Sequence, residues 1–200
     1  MSAPPRTSRQ RTPDTSPAAP RLRVYIAASL DGFIADHAGG VDWLNPFFTP
    51  EIDFRSFAQS IAVTIWGRAT FDQMLSWGRV DTSGARSIVV TRRPLPTGLP
   101  STVEAFDPAQ QDITTLADRL RHELAGTGKD IWLGGGGKTI ALFTAAGLID
   151  RWEIAIIPIL LARGTPLFAP TDRRPSRLRL ASSRPLSSGV LAVEYEPVRE

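Results

Sequence analysis

The middle of this chain alternates, and that alternation restricts its fold more than any other feature. Short runs rich in β-branched residues, "IAVTIWG" (61–67), "RSIVVT" (86–91), "DIWLG" (130–134) and "RWEIAIIPIL" (151–160), are separated by segments of helical pattern. In "DITTLADRLRHELAG" (112–126) the apolar residues fall at 113, 116, 117, 120 and 124, one stripe of a helix that Gly126 closes. "TFDQML" sets Thr70 three residues before Gln73, the spacing of a capping box, and "KTIALFTAAG" (138–147) ends in Gly147. Strands joined through helices run parallel, and a parallel sheet is covered on both faces.

The flanks complete the sheet. "RLRVYIAAS" (21–29) reads as a first strand, and "TPEIDFRSFAQSI" as a helix with Thr49 as N-cap and Pro50 at its first position. "STVEAF" is a short strand. "SRLRLASS" and "GVLAVEYEP" have no helix between them and form a closing antiparallel pair. The expectation is an α/β fold of three layers, a mixed and mostly parallel sheet of about eight strands with helices on both faces. The 200 residues suit one domain at 21–200. Residues 1–20 are rich in Pro, Ser, Thr and Arg with almost no large apolar side chain, and are read as a disordered tail.

Composition removes several classes. There is no cysteine, so disulfides and Cys-ligated metals are excluded. His37 beside Asp36 has no further ligands nearby, so no metal is expected. The net charge of +3 owes most to Arg6, Arg9 and Arg11 set against Asp14 in the tail, which leaves no clustered basic stripe for nucleic acid. No apolar run is long enough for a membrane span and no secretory signal is read, so a cytoplasmic protein is expected. Tyr25 and Tyr195 are followed at the Tyr-x-x-x-Lys spacing by Ser29 and Arg199, which fails the short-chain dehydrogenase pattern, and no Gly-x-Ser-x-Gly elbow is present.

Four unusual clusters lie where strands end: "ASLDG" (28–32), "GRAT" (67–70), "TRR" (91–93) and "GGGGKT" (134–139). Ligands of open α/β sheets bind along that rim. The glycine run is not a P-loop, since Trp132 stands where the first glycine is needed. Nor is it a dinucleotide fingerprint, whose third glycine would fall on Thr139. The physics of anion binding still applies: glycines allow close approach, and a helix starting at Lys138 presents free N–H groups. Arg68, Thr70 and Arg92 add further anion-binding groups, as suits a dinucleotide with an extra 2′-phosphate.

Together, "VYIAASLDGFIADHAGGVDWL", "DFRSFAQSIAVTIWGRATFDQML", "SIVVTRR" and "DIWLGGGGKTIALFTAAGLIDRWEIAIIPILLARGTPLF" resemble the family named for the C-terminal reductase domain of the bifunctional riboflavin-biosynthesis deaminase–reductase, within the dihydrofolate reductase-like superfamily. The resemblance spans about 21–196 and includes no deaminase domain. It implies a dihydrofolate reductase-like fold, NADPH across the carboxyl edge of the sheet, and a homodimer. By motif position it implies Gly67, Arg68 and Thr70 as a cofactor-phosphate loop and Thr91 with Arg92 at the 2′-phosphate. Gly135, Gly136, Gly137, Lys138 and Thr139 match the pyrophosphate loop, and Ala28 and Ile34 flank the nicotinamide. Departures are Ala162 or Arg163 where relatives have Gly, Arg151 where they have an acid, and "RVDTSG" after the second helix.

The implied activity is an NADPH-dependent oxidoreductase acting on a small pterin-, folate- or ribosylaminopyrimidine-like substrate. Candidate proton donors are Asp53, Asp31 and Glu51, with Asp53 favoured by family spacing. Ser29, Trp43 and Phe57 are the candidate substrate contacts. Two other classes stay open: a nucleotide-binding module or sensor without turnover, and a flavin-binding protein on the same sheet.

Overall fold

The computed structural model describes residues 19–78, 85–171 and 175–198. All but the last two residues of the expected tail lie outside these, as does part of the segment after the second helix. Eight strands form one sheet: β1 (Leu22–Ser29), β3 (Ile61–Gly67), β4 (Arg86–Val90), β5 (Val103–Phe106), β6 (Asp130–Gly135), β7 (Arg151–Ile157), β9 (Leu178–Pro185) and β10 (Leu191–Pro197). Their order is β5-β4-β3-β6-β1-β7-β10-β9. All pairings are parallel from β5 to β7, and β10 pairs antiparallel with both β7 and β9. The expected architecture is therefore present. A small antiparallel pair, β2 (Phe33–Ala35) with β8 (Thr165–Pro166), is an addition that periodicity could not show in so few residues.

Among the described residues four α-helices cover the sheet: α1 (Phe54–Gln59), α2 (Arg68–Ser76), α3 (Ile113–Glu123) and α4 (Gly137–Ala145). The stripe of α3 is buried as its spacing requires, with Ile113, Leu116, Ala117 and Leu120 turned inward. It meets Ile140 and Phe143 of α4 over Leu22, Val24, Val63, Ile65 and Ile88 of the sheet. Full burial of a side chain such as Phe143 contributes about 2–3 kcal/mol. On the other face, Phe71 of α2 packs with Trp66 and Val89.

Three helix starts differ from the sequence reading. The α1 helix begins four residues after Pro50, because Asp53 caps it by accepting the Ser56 N–H at 3.0 Å. Gly67 is the N-cap of α2, without a side-chain cap, so Thr70 lies inside the helix and its hydroxyl turns outward to another element. The α4 helix starts one residue earlier, at Gly137.

One irregularity sets up the site. Strands β1 and β6 pair only at Leu22–Val24 and Ile131–Leu133. Beyond that, β1 continues against β7 alone as far as Ser29, while β6 follows β3 up to Gly135. The sheet therefore opens between its two central strands at their carboxyl ends.

Candidate functional site

Two helix N-termini flank that opening, and they are locked together. Gly67 precedes α2 and Gly136 precedes α4. The Gly136 N–H donates to the Thr70 hydroxyl at 3.1 Å. A Cβ on Gly67 would lie 2.4 Å from the Thr139 hydroxyl oxygen, so glycine is what lets the two ends abut. Thr139 is 7% exposed and belongs to this contact. The first N–H groups of each helix have no acceptor within the helix, and both dipoles present their positive ends here.

The four glycines of the run do not share one cause. A Cβ on Gly134 would meet the Trp66 ring at 2.0 Å, and one on Gly137 would meet the Pro166 carbonyl oxygen at 2.1 Å. Gly135 has φ +131, a conformation open to glycine, and Gly136 faces Thr70. Close packing thus accounts for Gly134 and Gly137 by itself. Gly135 and Gly136 line the opening beside Ile26 and Thr70.

The arginines divide similarly. Arg68 is engaged: its Nε donates to Asp72 at 2.6 Å and its Nη1 to the Pro94 carbonyl at 2.8 Å. Thr91 is buried, and its hydroxyl accepts the Arg93 N–H at 3.0 Å in a tight turn. Arg92 is exposed at that turn, and no partner engages it among the described residues. Lys138 is exposed on the first turn of α4 and is equally free. Ala28 is buried near the end of β1, and Ile34 of β2 packs on the same core.

A cavity of about 600 Å³ lies next to the opening, under α1 and against β1, β7 and the β9–β10 hairpin. Its lining includes Tyr25, Phe47, Phe54, Phe57, Arg23 and Glu153. Phe57 lies nearly flat on Tyr25, with ring centres 4.0 Å apart and planes 21° apart, and Arg23 sits over the other part of this aromatic group. Burial, and then the nearby Glu153 and Asp53 carboxylates, push the Tyr25 phenol above its ordinary range.

The three candidate acids occupy very different places. Asp31 accepts the Ser29 hydroxyl at 2.6 Å and the N–H groups of Leu161 and Ala162 at 3.1 and 2.7 Å. Glu51 accepts the Ser187 N–H at 2.9 Å and the Ser187 hydroxyl, which ties the helix approach to the β9–β10 turn. Asp53 caps α1 and lines the cavity. Hydrogen bonds hold all three below the usual carboxylate range: from the Ser29 hydroxyl to Asp31, from Ser187 to Glu51, and from Ser56 to Asp53. Only Glu51 and Asp53 touch the cavity, and Asp31 works as a loop clamp.

Of the expected substrate contacts, Phe57 lines the cavity. The Ser29 hydroxyl is spent on the turn, donating to Asp31 and accepting the Phe33 N–H at 2.9 Å. Trp43 packs into a satellite cluster with Ile157, Leu186 and Val190, behind the lining rather than in it. The reading of the sequence missed Arg23, Tyr25, Glu153 and Glu194, all of which line the cavity. Their signal was present: polar residues at every second position of strands otherwise expected to be apolar on both faces.

The sequence profile of the RibD C-terminal domain matches residues 20–192. The chain belongs to this family. Among its relatives, the uncharacterized protein YyaP of Bacillus subtilis (strain 168) is 32% identical over 191 residues, covering 88% of this chain and 94% of YyaP. A crystal structure from Shewanella sp. PV-4, named for riboflavin biosynthesis, superimposes with a TM-score of 0.78 at 26% identity, covering 90% of this chain and 99% of that one. The dihydrofolate reductase of Enterococcus faecalis, solved with NADP(H), has a TM-score of 0.60 at 18% identity, with 90% and 97% covered. The RibD C-terminal domain family thus has the dihydrofolate reductase-like fold in this chain too. No helix of the described residues is long and apolar enough to cross a membrane, and no metal-binding cluster is found among them.

Ala162 is the one non-glycine residue with positive φ among those described, at 63°, and the Asp31 carboxylate accepts its N–H. A left-handed alanine is strained by its Cβ. Ala162→Gly is expected to raise stability by about 0.5–1 kcal/mol in urea unfolding, part of the gain being offset by the greater freedom of unfolded glycine.

Proposed function

We propose that this chain is an NADPH-dependent reductase of a small pterin-, folate- or ribosylaminopyrimidine-like substrate. The observation that carries the reading is the opening of the sheet between β1 and β6, with two abutting helix N-termini on one side and the aromatic cavity on the other. The residues present fit the cofactor. Gly135 and Gly136 permit close approach of a diphosphate to the α2 and α4 N-termini, with the Lys138 ammonium at hand. Arg92, exposed and unengaged beside Thr91, suits the 2′-phosphate. Ala28 and Ile34 would border the nicotinamide, which when bound supplies the hydride.

The chain's own residues then orient and shield. Phe54 offers exposed ring surface to a planar substrate beside the stacked Tyr25–Phe57 pair, and Asp53 offers an ionised carboxylate that accepts substrate N–H groups. An acid held ionised has no proton to give at neutral pH, so water is the proton source in this reading. Association as a homodimer in the cytoplasm belongs to the same proposal.

Titration calorimetry tests it. NADPH is expected to bind, and Arg92→Ala to weaken NADPH roughly tenfold or more while leaving NADH nearly unchanged, because a charged hydrogen bond is worth about 1.5–3 kcal/mol. Equal weakening of both coenzymes would remove the 2′-phosphate assignment. A second reading, a nucleotide-binding module without turnover, draws support from the commitment of all three candidate acids to structural hydrogen bonds. NADPH binding without its oxidation across pterin, folate and ribosylaminopyrimidine substrates decides for that reading.

A further inference from the structure

The charge of the cavity narrows the substrate class, given the reading that the substrate lies there. Four carboxylates (Glu51, Asp53, Glu153 and Glu194) and two guanidinium groups (Arg23 and Arg184) line it, a net of −2. The Arg23 guanidinium is fully engaged, and Arg184 is turned onto Glu51. Arg23 donates from Nε and Nη2 to both oxygens of Glu153, at 2.8 and 2.6 Å, and from Nη1 to Asp130 at 3.1 Å. Arg184 donates to the Glu51 carbonyl at 3.0 Å, with its other nitrogen 3.9 Å from the Glu51 carboxylate. Arg151, behind the rim, is shared among Glu153, Glu194 and Glu196. A phosphate entering here would meet one partly exposed guanidinium, that of Arg184 beside the Glu51 carboxylate, in a lining whose carboxylates outnumber its guanidinium groups by two.

The walls point the same way. Phe48 is 73% exposed at the cavity, and Phe54 is 46% exposed although it also meets Tyr25, Phe57 and Trp132, so both leave apolar ring surface in water. We propose that this cavity takes a planar aromatic ring, neutral or cationic, that carries no phosphate. Stacking on the phenylalanines supplies the attraction, and the surplus carboxylates act against anionic analogues of the same ring. The phosphorylated part of the ribosylaminopyrimidine class drops out, and the two phosphate-binding helix ends remain for the cofactor.

Riboflavin and FMN share one ring system and differ by a phosphate, so they probe the charge directly. Their flavin fluorescence is titrated with the protein, saturated with NADP⁺ so that the cofactor site is filled. Riboflavin is expected to bind, and FMN roughly tenfold or more weakly. The gap should shrink as salt is raised, because partly exposed charges are screened. Asp53→Asn combined with Glu194→Gln removes the surplus charge and should bring the two affinities together. FMN binding as tightly as riboflavin, or neither flavin binding to protein that takes up NADP⁺, overturns the proposal. Failure to bind NADP⁺ at all would instead sink the reductase reading, and the two results are separable in one titration series.

Discussion

Gly134→Ala is expected to cost this protein about 3 kcal/mol of stability, near the upper end for overpacking a filled core. The added methyl would lie 2.0 Å from the Trp66 ring, well inside van der Waals contact. That ring has nowhere to go. Its Nε1 donates to the Thr64 hydroxyl at 2.9 Å, and its face meets Trp132 edge-on with centres 4.8 Å apart. Thr64 in turn shares a hydrogen bond with Ser87 on the next strand, so moving the indole disturbs three strands together. The check is a double-mutant cycle in urea. Trp66→Leu alone should also destabilise, by lost burial, but on the Trp66→Leu background the alanine should be nearly neutral. If Gly134→Ala is silent in stability yet abolishes NADPH binding, this glycine serves the phosphate and not the packing.

This result bears on what the chain reveals before it is folded. The eight strands of the main sheet and their order of type were legible, because each run is short, β-rich and bounded by a cap or glycine. The common rim of the four clusters was legible as well, since clusters at strand ends come to one edge wherever such strands are parallel. What glycines do one by one was not. A run of four reads as a phosphate loop, yet Gly134 answers to Trp66, sixty-eight positions away, and Gly137 to the carbonyl of Pro166. Close approach between distant segments leaves no local signature. The acids were hidden for a related reason. Asp31 and Glu51 stand in polar stretches suited to catalysis, and only the fold brings Leu161, Ala162 and Ser187 to them as donors. Cavity walls were missed through an assumption about layers. A parallel sheet covered on both faces has apolar strands, and α1, with six residues, is too short to cover β7 and β10. The charged alternation of "RWEIAII" was the trace of that uncovered face.

On that face the largest single loss is expected from Arg23→Met, about 3–5 kcal/mol. Arg23 is 12% exposed and sits among Glu153 and Asp130, which are 11% and 12% exposed. Burial alone would pull its pKa down; the bonds to Glu153 and Asp130 more than offset this and leave it above the ordinary arginine value. Methionine keeps much of the packing volume over Phe57 but removes every donor. Asp130 would retain the Arg21 N–H at 2.8 Å. Glu153 would be left with Arg151 at 3.9 Å, a poor replacement for two short bonds. Most of the cost is then a stranded carboxylate, and not the net worth of the pair. That distinction is measurable. Arg23→Met with Glu153→Leu removes both charges, and the double variant is expected to recover half or more of the loss, since apolar residues can replace a buried pair at little cost. Urea unfolding of the four proteins in the cycle gives the coupling. Additive losses would show that the two side chains do not act as a unit. A loss under about 1 kcal/mol for Arg23→Met would place the pair among ordinary surface bridges, with solvent reaching the cavity floor.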